Sequence, residues 1–97
     1  MKGKRIFICY TGQELCAVLP FNNGRPFDGW FALFGQVTEE HSHGIWFRLE
    51  KIWRDNVPLR IEPPETDDYF IPWQALKRVI LAKEDAPPAA PPTGVYL

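Results

Sequence analysis

Two histidines, two cysteines and four tryptophans are the side chains of this 97-residue sequence best suited to chemistry or recognition. His41 and His43 stand two apart beside Glu39 and Glu40. On an extended segment both imidazoles point the same way, which is half of a metal site. No spacing in the sequence nominates two further ligands, so the expectation is a solvated loop, with no metal and no cofactor. With both histidines in one connection, acid–base catalysis would rest on carboxylates that the sequence does not place. There is no glycine-rich phosphate loop and no Ser/His/Asp arrangement. A non-enzyme without catalytic residues is the reading that follows.

Cys9 and Cys16 flank Thr11-Gly12-Gln13-Glu14. Gly12 at the first central position suits a type II′ turn, which predicts a β-hairpin over Arg5–Leu19. In that hairpin the cysteines face each other at a hydrogen-bonded site, where side chains lie farther apart than the ~3.8 Å between Cβ atoms that a disulfide wants. Two reduced core thiols are expected.

Trp30, Trp46, Trp53 and Trp73 are of the type that stacks on bases, lines a pocket or fills a core. Trp46 shares its strand face with Arg48 and Glu50, which makes that face the wetter one. An exposed tryptophan beside an arginine is a contact pair. The candidate binding residues are Trp46, Arg48, Lys51, Arg54 and Trp73. A candidate self-association edge is Val79, Ile80 and Leu81, an apolar run that would be sticky if left open.

The elements that must position these residues are strands. Gly29–Val37 is almost continuously apolar and aromatic, a strand buried on both faces for part of its length, with Gly35 marking a bulge or bend. Thr38–Gly44 is a polar connection. Ile45–Trp53 is the antiparallel return, its alternation slipping near Lys51 as if at a second bulge. Pro20–Asp28 reads as a loop, and so does Arg54–Asp68, with one extended piece at Leu59–Ile61. Tyr69–Ile71 restarts a strand that Pro72 stops. Gln74–Lys77 predicts one helical turn, and Arg78–Leu81 a last short strand.

Eleven basic residues meet twelve acidic ones, for a net charge of −1. A protein devoted to nucleic acid usually carries a basic excess, so charge does not favour that partner. The basic N-terminal residues lead into an apolar run too short for a secretory signal. No segment approaches the ~18–20 apolar residues of a membrane helix, so a cytosolic protein is expected. Past Asp85 the chain turns to proline and alanine. Residues 1–85 are thus read as one domain and 86–97 as a disordered proline-rich tail, of the kind that SH3 or WW domains take as a ligand.

Phe34-Gly35-Gln36-Val37 followed by Gly44–Leu49 resembles the bent second and third strands of Sm-like, SH3-like small barrels. Tyr69–Ile80 is similar to their fourth strand, one-turn helix and fifth strand. The resemblance covers about half of the chain. The RNA-contacting residues of that family do not carry over, because Thr38–His43 and Ile71-Pro72-Trp73 stand where its motifs would be. What the resemblance implies is a fold, and ring-like self-assembly through the last strands.

The sequence therefore predicts a mainly β domain: a small, strongly bent antiparallel barrel of five or six strands with at most one short helical turn. Its expected role is a non-catalytic interaction module that forms homo-oligomers or takes a protein partner. Two alternatives stand beside it. One is an Sm-like nucleic-acid binder, with Arg48, Lys51 and Arg54 on phosphates and Trp46 stacking. The other is a small-ligand binder with an aromatic pocket between subunits.

Overall fold

Strand β1 (Arg5–Thr11) buries both of its faces. Ile6, Ile8 and Tyr10 enter the main core, while Phe7 and Cys9 enter a second, smaller one. This is the alternation of a strand inside a sheet that is covered on both sides. In the computed structural model, which describes residues 2–18, 29–59, 68–83 and 86–91, β1 lies between β2 (Trp30–Glu40) and β6 (Val79–Leu81), antiparallel to both. The outer edge of β2 pairs with β3 (Gly44–Arg54). Two short strands then share the far edge of β3. β4 (Val57–Leu59) takes its C-terminal part and β5 (Asp68–Pro72) its N-terminal part. The six strands form one antiparallel sheet in the order β4-β3-β2-β1-β6, with β5 beside β3.

The long aromatic strands are as expected, and each reaches further. Glu39 and Glu40 pair with Trp46 and Ile45, so the connection shrinks to residues 41–43. The irregularities expected at Gly35 and near Lys51 are one and the same bulge, and a second, unexpected one lies at Thr38. Gly35 pairs with Leu49 and Phe34 with Lys51, which leaves Glu50 as an extra residue on β3. Val37 pairs with Phe47 and Glu39 with Trp46, which leaves Thr38 extra on β2. A Cβ at Gly35 would run into the carbonyl oxygen of Arg48 and lie 2.7 Å from Cζ of Phe47, so glycine is what lets the two backbones meet at the bend. Trp73–Ala75 forms a 3-10 turn, one residue ahead of the expected helical turn. Asp55 and Asn56, with φ of 49° and 69°, make the two-residue hairpin between β3 and β4. The extended piece lies at Val57–Leu59, two residues before its expected place; Arg60 and Ile61 fall outside the described residues, as do the Pro20–Asp28 loop and the acidic stretch 62–67.

Two expectations are corrected. Residues Gly12–Val18 form a helix, α1, and not the second strand of a hairpin. Thr11 and Glu14 make a reciprocal capping box: the Glu14 N–H donates to Oγ1 of Thr11 at 3.3 Å, and the Thr11 N–H donates to Oε1 of Glu14 at 2.8 Å. The helix adds more helical structure than the one turn expected, and it ends the cross-strand pairing of Cys9 with Cys16. Cys9 instead stands opposite Ala32 of β2.

The second correction concerns the barrel: the sheet is not closed. Closure needs the first and last strands to exchange hydrogen bonds. Here β6 is three residues long and pairs with β1, while β4 and β5 remain at the opposite end. The bulges bend the sheet without bringing those ends together.

Candidate functional site

The bulge at Glu50 decides which side chains share a face. Ile45, Phe47 and Leu49 point into the main core, so Trp46 and Arg48 point away from it. Opposite Trp46, across the β3–β5 pair, stands Phe70. Their rings meet edge to face at 5.5 Å between centroids, and each residue is 38% exposed. His41 reaches the same group, its ring 6.4 Å from that of Phe70. Trp73 is fastened to the neighbouring β2–β3 turn: its backbone N–H donates to the His43 carbonyl at 3.1 Å and its indole N–H to the Ser42 carbonyl at 3.0 Å. Two pairs down the strands, Arg48 donates to Asp68 at 2.9 Å. The result is a wet aromatic patch rimmed by an exposed ion pair, a type worth roughly 0–1 kcal/mol in folding energy.

Of the five candidate binding residues, the structure brings Trp46, Arg48 and Trp73 to this end of the sheet. Lys51 and Arg54 are elsewhere. Lys51 lies beyond the bulge, its ammonium 5.2 Å from the ring of Trp53. Arg54 emerges on the opposite face, over the ring of Phe31 at 5.9 Å, and eight residues of strand, roughly 25 Å, separate it from Trp46. A continuous phosphate track through Arg48, Lys51 and Arg54 is therefore not formed. Trp30 lies under the guanidinium of Arg78 at 5.0 Å, and Trp53 is buried. Val79–Leu81 sits at the end of the sheet, with Val79 and Leu81 exposed. Phe70 carried no signal in the sequence, because its place beside Trp46 depends on strand register and not on local pattern.

A second cluster forms where α1 meets the turn into β6. Glu14, already tied to Thr11, also accepts from Lys77 at 3.1 Å and from Arg78. The Thr11 N–H bond, helped by both cations, holds its carboxyl down at about 2. The Nε of Arg78 is buried without a hydrogen-bond partner. Arg78 itself has a φ of 51°, so Glu14 and Trp30 anchor a strained backbone. Beside this cluster is a cavity of about 230 Å³ lined by Tyr10, Glu14, Val18, Gln74, Ala75 and Lys77. It is smaller than the ~300–1,000 Å³ of ligand clefts. Tyr10, whose hydroxyl donates to the Ala75 carbonyl at 2.6 Å, has its pKa pushed up by burial.

Cys9 is fully buried, and burial raises its thiol pKa against the opposing pull of Arg78. A buried neutral thiol is a poor nucleophile. Cys9 is therefore expected to resist iodoacetamide in the native protein and to be alkylated fully in denaturant, as read by peptide mass spectrometry; ready native labelling would mean that its face opens. Among the described residues no group of three His, Cys, Asp or Glu side chains is arranged to hold a metal ion, and no helix is long and apolar enough to cross a membrane. No protein-family model, curated protein or solved structure matches the chain.

Proposed function

We propose that the chain is a non-catalytic interaction module that self-associates, and that the face carrying Trp46 and Phe70 is its contact surface. The observation that carries this reading is the Trp46–Phe70 pair: two large rings, packed on each other and each more than a third exposed. Aromatic side chains are stable in contact with water only at a cost, and a clustered set of them marks a binding surface. Arg48 and Asp68 at its margin supply direction and register. The likeness to Sm-like barrels supports self-association in general, and the exposed rings favour the face over the three-residue edge strand β6 as its main site.

Light scattering on the purified protein, with absorbance at 260 and 280 nm on the same peak, tests this. The expected mass is a multiple of 11.2 kDa without excess absorbance at 260 nm. Trp46→Ala with Phe70→Ala is expected to weaken assembly about 100-fold or more, as loss of two buried aromatic anchors does. Folding of the monomer should change little, since both residues are at the surface. A clean monomer at every concentration would remove self-association, and co-purifying nucleic acid would replace it.

A further inference from the structure

On the face that carries Trp46, the β3–β5 pair presents rows two residues apart, and each row is matched within itself. Trp46 stands opposite Phe70, so one row is ring beside ring. Arg48 stands opposite Asp68, so the next is cation beside anion. The row on the other side, Gly44 and Pro72, carries no charge. Glu39, which pairs with Trp46 from β2, has its own cation in Lys2 at 3.4 Å. The surface is thus aromatic at its centre and electrically balanced at its margin.

That balance makes the surface complementary to itself. Sheets packed face to face keep their strands within about 30° of each other. A twofold axis along the strands, midway between β3 and β5, exchanges those two strands between copies. It lays Trp46 on Phe70 of the partner subunit and Arg48 on Asp68 of the partner subunit, each contact made twice, as in any isologous interface. The four charges then alternate in sign around a square. An axis across the strands would leave β3 on β3, and Arg48 would meet its own copy or Trp46 but never Asp68. Arg48 is equipped for the first arrangement. Its Nε donates to its own Asp68 at 2.9 Å, while among the described residues nothing accepts from its terminal nitrogens. Its side chain is 56% exposed and that of Asp68 34%, so both can be reached from outside. A guanidinium has donors enough to hold two carboxylates at once.

We infer that the partner of this face is a second copy related by that axis, and that Arg48 and Asp68 select it by exchanging salt bridges between the copies. The inference rests on the reading of the Trp46 face as the contact surface. It adds a stoichiometry of two and a named pair of specificity residues.

The test puts like charges on the face in two separate full-length chains. Arg48→Asp makes both members of the pair acidic, and Asp68→Arg makes both basic. Each variant alone is expected to weaken the dimer about 100-fold or more, because both symmetric contacts turn repulsive. Light scattering should read 11.2 kDa for either one, at concentrations where the wild-type chain reads twice that. An equimolar mixture should restore the dimer, since every acidic site now meets a basic one. A chain with both substitutions keeps its own ion pair and should dimerise as the wild type does. Circular dichroism of the single variants should match the wild type, because the pair is exposed. If a single variant loses its fold, the double variant decides, and a monomeric double variant overturns the inference. Single variants that dimerise normally would overturn it, as would a mixture that stays monomeric. A wild-type assembly of more than two copies would overturn the twofold arrangement and leave the contact face standing, whereas a wild-type monomer at every concentration removes both.

Discussion

Gly35→Ala is expected to lower the melting temperature by about 12–24 °C, the equivalent of roughly 3 kcal/mol in a domain of this size. The added methyl would overlap the carbonyl oxygen of Arg48, a main-chain atom that cannot rotate aside, and press on the ring of Phe47. Relief requires β2 and β3 to part at the bulge, where one face of the main core is assembled from Val37, Phe47 and Leu49. Overpacking costs ~1–3 kcal/mol when side chains can adjust, so a backbone collision belongs at the upper end of that range. Gly3→Ala is the comparison. Gly3 has a φ of +82° but no atom within 4 Å of the new methyl, so only the backbone preference is lost, about 1 kcal/mol. Thermal unfolding of both variants checks this. Equal melting temperatures would mean that β2 and β3 do not meet closely at Gly35.

The second large effect is that of Glu14→Gln. The amide keeps an oxygen for the Thr11 N–H, so the cap survives while the charge facing Lys77 and Arg78 disappears. The native carboxyl titrates near 2, below its ordinary value of 4.5, so folding is favoured by an ionised Glu14. That contribution is complete above pH ~4.5 and is lost as pH falls toward 2. It amounts to something on the order of 2 kcal/mol, less than the ~3 of full linkage because the side chain is 23% exposed. Denaturant titrations between pH 7 and pH 2 should show the wild-type and variant curves apart at neutral pH and converging in acid. A gap that stays constant with pH would place the effect in packing and not in charge.

The same four residues, Thr11 to Glu14, mark where the sequence was read in the wrong direction. Gly12 suggests a turn between strands, while Thr-x-x-Glu is the signature of a helix start. Leu15 and Val18, three apart, both pack on the main core, and that spacing is helical. Strands β2 and β3 were plain in their aromatic runs, and the bulge at Glu50 was marked from both strands, by Gly35 and by broken alternation near Lys51, while the bulge at Thr38 carried no mark. Closure was not legible, because it depends on which edges find each other and not on any local pattern. For the candidate site, Trp46 and Arg48 could be seen from alternation alone. Lys51 and Arg54 were assigned to the same surface because a bulge that is located only roughly leaves open which residues lie beyond it on which face. Phe70 becomes visible only when the register of β5 on β3 is known.

The two ends of the sheet differ in kind from its faces. The edge strands β4 and β6 have three residues each, Pro58 interrupts the first, and Pro72 closes β5. A second molecule that joined at such an edge would gain few hydrogen bonds and would leave its own far edge open to a third, which is how filaments grow. Two molecules that join through the Trp46 face use the same patch on both sides, and nothing is left over. On the proposed self-association through the Trp46 face, such blunted ends would keep the assembly closed and countable.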